Sequence, residues 1–175
     1  MQVDIDPLHE SVLNKKMKQL DNSRIDDKNP LWAELYNLTA QAKILPITSV
    51  VTHLLEDIKK KQEQRKQLLQ PQLQQEQQNS ALLGDENEDK FLVFAHHIDI
   101  LDEIERVVQK HNIEYIRIDG STSSEKRALY VNEFQSIPSK KIAILSLTAA
   151  GTGLSLQVAS RVYFTGSSFF FQCFV

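Results

Sequence analysis

Four short apolar runs, "KFLVFA" (90–95), "IEYIRI" (113–118), "KIAILSL" (141–147) and "RVYFT" (161–165), constrain this chain more than any other feature. Each is too short for a helix that buries a face and rich enough in β-branched and aromatic residues to be a buried strand. The first pair is separated by "HHIDILDEIERVVQKHN" (96–112), with Ile98, Leu101, Ile104 and Val108 at helical spacing. After the second run, Thr122 and Glu125 form a capping-box pattern that opens a helix to about Gln135, with Leu129 and Phe134 inward. Strand, helix, strand, helix, strand in so short a span requires right-handed crossovers. The fold class is therefore α/β, a parallel sheet flanked by helices.

The rest of the chain divides by composition. Residues 1–30 are polar, interrupted by Pro7 and Pro30, and read as a loose lead-in. Residues 31–61 are helical: "LWAELYNLTAQAKI" gives one segment, and beyond Pro46 the residues Ile47, Val50, Val51, Leu54, Leu55 and Ile58 form the stripe of another. Nine of the seventeen residues from Gln62 to Gln78 are glutamine. Such a stretch buries too little apolar surface to offset its ordering entropy, so 62–89 reads as a mobile insertion into which the helix frays. The alternative, a glutamine-rich coiled-coil site for a protein partner, meets Pro71, which breaks the heptads. Residues 90–165 form the α/β core, and 166–175 an apolar tail.

Charge excludes the simplest nucleic-acid reading. Residues 1–89 carry 11 Lys/Arg against 15 Asp/Glu, and residues 90–175 carry 9 against 8. Any contact with nucleic acid must therefore be local rather than a matter of bulk charge. The single cysteine, Cys173, gives no internal disulfide framework. With no apolar run long enough for a membrane and no basic-then-apolar leader at the start, the chain reads as soluble and intracellular.

Polar clusters follow each strand, where helix N-termini and loops present unpaired N–H groups. They are His96-His97, Asp119-Gly120-Ser121-Thr122 and "TAAGTGLSL" (148–156), and four of the five glycines (Gly120, Gly151, Gly153, Gly166) lie at or near them. The Gly-Ser-Thr turn, with amides and hydroxyls facing outward, would cradle a phosphate; the plainer alternative is a capped turn that binds nothing. His96-His97 lacks the i, i+4 spacing and the third ligand of a zinc site, so no metal site is expected. There is no G-x-S-x-G elbow and no Walker A sequence, and "GTGLSL" lacks the third glycine of a dinucleotide fingerprint.

Taken in order and spacing, "KFLVFAHH", "YIRIDGSTSSEKR" and "AILSLTAAGTGLSLQVASRVYF" resemble the second RecA-like lobe of SWI/SNF-related superfamily 2 helicases, and most of all the annealing-helicase subgroup of HARP (SMARCAL-type) and ZRANB-type proteins. "NLTAQAKILPITSVVTHLLEDI" resembles the helix pair ahead of that lobe. The resemblance implies a partial RecA-like lobe with a helical N-terminal segment. It also implies that His96, Gly120, Ser121 and Ser146 lie near DNA phosphates, through contacts that position without reading sequence. Gly151, Gly153 and Ser155 would lie near the ATP cleft. Ala150-Gly151 and Leu154-Ser155-Leu156 stand where many remodellers have Gly-Gly and Leu-Asn-Leu, so a ribose contact from Ser155 does not follow.

The implied function is that of a truncated second lobe of an ATP-dependent DNA translocase or annealing helicase, acting in replication-fork remodelling and repair in the nucleus. ATP and Mg²⁺ would be shared with a first lobe, DNA would be bound through its backbone, and no cofactor would bind tightly here. The Walker lysine, the acidic Mg²⁺ motif and the motif VI arginines have no counterpart in this sequence, so the expectation is a chain inactive alone. Where the family continues toward those arginines, this chain reads "TGSSFFFQCFV". That tail reads as a truncation, an alternative transcript end or a mistaken gene model, or else as a terminal strand closing the sheet edge. Two other functions stay open: a non-catalytic DNA- or protein-binding module built on a helicase lobe, and an unrelated Rossmann-type enzyme.

Overall fold

A computed structural model of the chain describes residues 7–21, 30–69, 89–150, 153–165 and 171–174. Its centre is a sheet of β1 (Phe91–Ala95), β2 (Glu114–Ile118), β3 (Lys140–Ser146), β4 (Arg161–Thr165) and β5 (Phe171–Phe174), in the order β2-β3-β1-β4-β5. β1 to β4 are mutually parallel, as the interleaved pattern requires, and β5 runs antiparallel along β4 at the sheet's edge. In register, Ala95 lies opposite Ser146 on one side and Thr165 on the other. The parallel strands therefore end along one edge.

Helices cover both faces. On one, α2 (Pro30–Leu69) and α3 (Ile98–Lys110) bury Val51, Leu55, Ile58, Ile100, Ile104 and Val108 against Phe91, Val93, Ile142 and Ile144. On the other, Phe134 of α4 (Ser124–Ser136) packs with Leu92, Ile116, Ile118, Ala143 and Leu145, and Leu154, Leu156 and Val158 of the following loop lie partly buried beside them. The short α5 (Leu147–Ala150) continues directly from β3.

Both expected core helices exist, but their inward faces differ from the pattern. Ile98 opens α3 and is 53% exposed, because the first turn projects past the strand end; Ile100, Leu101, Ile104 and Val108 carry the contact. Leu129 is likewise 53% exposed. The stripe that contains Phe134 runs back through Val131 and Tyr130 at i−3 and i−4, which leaves Leu129 well off it. The helix begins one residue later than expected, with Ser123 as its N-cap accepting from the Lys126 amide at 3.4 Å.

The prolines mark starts rather than breaks. Pro7 opens α1 (Pro7–Asp21), in the stretch expected to be loose, and Pro30 opens α2; a first helical residue has no N–H bond to lose. α1 lacks a sustained period because it buries little: Leu13 packs with Leu35 and Ala42 of α2, and that pairing holds it. Pro46 lies inside α2 and does not divide it into two helices. An interior proline costs about 3 kcal/mol. Burying Val51, Leu55 and Ile58 completely contributes roughly 5–8 kcal/mol, so the helix runs through. It continues to Leu69, so 62–69, the first third of the expected insertion, is helical; residues 70–88 lie outside the described residues.

α2 is tied at the opposite edge of the sheet. Lys61 Nζ donates to Asp89 Oδ1 at 3.1 Å, and Arg65 reaches Oδ2 at 3.6 Å, around a carboxylate with almost no exposure. Next in sequence, the fully buried Lys90 donates to the carbonyls of Phe134 and Ile137 at 2.5 and 3.0 Å, neutralising the C-terminal end of α4. None of the described helices is long and apolar enough to cross a membrane.

Candidate functional site

Parallel strands of open α/β sheets collect their ligands beyond the carboxyl ends. Here that edge carries His96-His97 after β1, residues 119–123 after β2, and Ser146 with α5 after β3. Each cluster has its own internal chemistry.

The β2 turn is organised by a carboxylate. Asp119 Oδ1 accepts from the Ser121 amide at 2.9 Å and the Ser121 hydroxyl at 2.6 Å, while Oδ2 accepts from Arg117 Nε at 2.9 Å. The Thr122 amide donates to the Asp119 carbonyl at 3.1 Å, closing the turn, and the Asp119 amide donates to Thr122 Oγ1 at 3.1 Å. The Ser121 donors, expected to face outward, are thus turned inward to a neighbour two residues back. The Ser121 hydroxyl above all, and Arg117 with it, hold the Asp119 carboxyl below its usual range against the opposing effect of burial.

Gly120 sits exposed at the apex. A Cβ built there would meet nothing within 4 Å, and its φ lies outside the left-handed region, so the turn itself does not require glycine. Its missing side chain leaves room for something outside the chain.

Arg117 and Arg127 are the residues that motif reading missed. Arg117 pairs with Asp102 at 2.7 Å and Glu105 at 2.5 Å as well as with Asp119. Burial disfavours its charge, but the three carboxylates outweigh that and raise its pKa. Arg127 donates to the carbonyls of Thr122 at 2.9 Å, Ala149 at 3.4 Å and Asp119 at 3.4 Å, stapling the β2 turn to α5. The signal available in the sequence was an arginine two residues before, and another eight after, an aspartate at a strand end.

Ser146 is buried. Its hydroxyl accepts from the Ala149 amide at 3.1 Å and lies 2.9 Å from Thr148 Oγ1, which makes it a local cap for α5. His96 is exposed, and its ring meets Tyr36 of α2 edge-on at 5.7 Å. His97 is buried against the same tyrosine, with centroids 3.9 Å apart, and its Nδ1 has no hydrogen-bond partner among the described residues. Burial, then the nearby Lys43 and His96 charges, lowers the His97 pKa, with Asp99 opposing. Lys43 is itself lowered by burial.

Farther along, Gly153 has φ +75, a conformation that favours glycine, and Gly151 lies outside the described residues. Ser155 is exposed on the rim of a ≈ 440 Å³ cleft walled by Leu92, Phe94, Leu145, Leu154 and Leu156; its carbonyl accepts from Gln135 at 2.6 Å. The apolar walls do not suit a triphosphate. The structure thus brings His96, Gly120, Ser121 and Ser146 to one edge, with Gly153 and Ser155 on the loop beyond α5.

This edge can now be set beside known proteins. Residues 73–170 match the helicase conserved C-terminal domain. The chain belongs to that family. Over 75 residues it is 51% identical to the DNA annealing helicase and endonuclease ZRANB3 of Homo sapiens, a match covering 43% of this chain and 7% of that protein. Over 150 residues it is 34% identical to the SWI/SNF-related matrix-associated actin-dependent regulator of chromatin subfamily A-like protein 1 of Xenopus tropicalis, covering 86% of this chain and 13% of that protein. The chain therefore spans only 7–13% of the length of these relatives.

Solved structures agree on the fold. The C-terminal part of the Fun30 ATPase domain aligns with 94% of this chain and 73% of its own at a TM-score of 0.51 and 17% identity. The Sulfolobus solfataricus SWI2/SNF2 ATPase C-terminal domain aligns with 94% and 69% at 0.55 and 20% identity. The parallel sheet flanked by helices is the RecA-like C-terminal lobe of these ATPases.

Proposed function

We propose that this chain is the second lobe of an ATP-dependent DNA translocase of the annealing-helicase kind, which remodels and reanneals replication forks in the nucleus. The observation that supports the reading most is the open apex at Gly120 on the shared carboxyl edge, which also carries the exposed His96 two strands away. A phosphate backbone approaching there would meet main chain without steric obstruction, and contacts of that kind position DNA without reading its sequence. Ser121 and Ser146 act in this reading mainly by shaping the turn and α5, because their hydroxyls are engaged internally.

ATP and Mg²⁺ belong to the complete two-lobed enzyme. The residues of this chain fit that group only at its margin: Gly151, Gly153 and Ser155 would border the cleft, and no Walker lysine is present to hold a phosphate. Hydrolysis then needs a first lobe as partner. When bound between two lobes, the nucleotide supplies the energy of closure, and this chain supplies the DNA-facing edge.

The test is to titrate purified 1–175 with duplex and forked DNA at several salt concentrations, with ATPase measured in parallel. Weak binding whose affinity falls linearly with log salt, and no DNA-stimulated turnover, is the expected result. Absence of DNA binding at low salt, or ATP turnover that persists through further purification, would overturn the reading.

A further inference from the structure

α2 runs antiparallel to β1. Its residues Lys61 and Arg65 lie at the edge where β1 begins, at Asp89, and Tyr36 lies where β1 ends, at His96 and His97. The turn that precedes Tyr36 must therefore reach beyond the strand ends, by about 1.5 Å for each residue. That overhang carries Trp32, 45% exposed, one turn before Tyr36, 44% exposed, on the same side of the helix. Lys43 follows on that side, and the two strand-end histidines complete the group.

Two half-open aromatic rings at helical spacing, one held edge-on to an exposed histidine, present π-faces to solvent. α1 binds a different side of the helix, through Leu31, Leu35, Leu38 and Ala42. Tyr36 is already fixed on its inner side by His97, so little rotamer entropy remains to be lost on binding. Fixed, solvent-facing aromatic rings are one means by which unpaired nucleic-acid bases are held, since every base has a π-face.

We propose that Trp32, Tyr36 and His96 form a stacking platform for unpaired bases of single-stranded DNA, displaced from a duplex that tracks the neighbouring strand ends. This rests on the DNA-binding reading above and adds to it a second, base-dependent contact. It commits to a single strand because a duplex keeps its bases stacked inside and would offer these rings only sugar and phosphate.

Trp32 is the only tryptophan in the chain and reports the event directly. Oligothymidylate should quench its emission saturably; an abasic oligomer of the same length, with the phosphates but not the bases, should not. By fluorescence anisotropy, Tyr36→Ala should weaken oligothymidylate binding on the order of tenfold while leaving duplex affinity within about twofold. Tyr36→Phe keeps the ring and should bind like the parent, which separates lost stacking from a disturbed helix. Equal binding of thymidylate and abasic oligomers, or no quenching despite measurable DNA binding, would overturn the platform and leave the backbone-binding lobe standing. Loss of all DNA binding in the unaltered chain would overturn both.

Discussion

Arg117 and Asp119 lie two residues apart on and just beyond β2, and the bond between them, Nε to Oδ2 at 2.9 Å, fixes the carboxylate whose other oxygen holds Ser121 by both its amide and its hydroxyl. The turn is thus built from the side chain of its first residue. Asp119→Ala removes the acceptor of those bonds and leaves Arg117 partly unpaired, so a loss of about 1–3 kcal/mol is expected in urea unfolding. The pH dependence has a definite sign. Because the folded pKa is depressed, the contribution is complete above the ordinary carboxylate pKa of about 4 and disappears as pH falls through the folded value. In Asp119→Asn this part of the acid limb should be absent.

Gly120→Ala and Gly153→Ala should behave differently. The added methyl at Gly120 meets nothing, so the midpoint of thermal unfolding should stay unchanged while DNA affinity falls. At Gly153, φ +75 makes alanine strained by roughly 1–2 kcal/mol, which lowers stability whether or not DNA is present. A thermal shift for Gly120→Ala as large as that for Gly153→Ala would contradict the geometry.

Lys90 is the buried cation to remove. Lys90→Met keeps the stem's bulk but deprives the carbonyls of Phe134 and Ile137 of their shared donor, at a cost of about 2–4 kcal/mol read by urea unfolding. Its ammonium also lies 5.2 Å from the centre of the Phe134 ring, so Phe134→Leu should cost less in a Lys90→Met background than alone.

His97 predicts a loss of stability on mild acidification. Its pKa is lowered in the folded chain, so the unfolded chain takes up the proton first, and stability falls as pH drops below about 6.5 until the folded value is passed. Burial is the main cause, with the Lys43 and His96 charges adding to it and Asp99 opposing. Substitution His97→Phe should flatten the unfolding free energy between about pH 7 and 5, and an NMR titration should find His97 protonating at lower pH than an unfolded reference.

How much of this was legible follows from where the information lies. β1 and β3 announce themselves because burial on both faces of a parallel sheet forces near-continuous apolar runs, and α3 because Leu101, Ile104 and Val108 recur at helical spacing. The edge that collects the polar clusters then follows from topology alone. α1 was hidden because one leucine carries most of its burial, and the unity of α2 because a proline's meaning depends on what its neighbours bury. Ser123 replaced Thr122 as the cap because the threonine hydroxyl was already taken by the Asp119 amide. Arg117 and Arg127 were only half legible: each has a partner in the adjacent Asp119 turn, whereas Asp102 and Glu105 of α3 and the Ala149 carbonyl of α5 come from elsewhere in the fold. Whether Ser121 faces a ligand or its own turn depends on a hydroxyl rotation, about which residue spacing says nothing.

The two attachments of α2 turn it into a beam. From Tyr36 on the histidine pair to Lys61 on Asp89 there are 25 residues, roughly 37 Å of helix. A beam fixed at both ends carries a push at one to the other, and it yields first at its weakest section. That section is Pro46, where one rung of the helical hydrogen-bond ladder is missing. A force applied to the overhang by a passing strand would thus be shared between bending at Pro46 and tension on the buried carboxylate of Asp89.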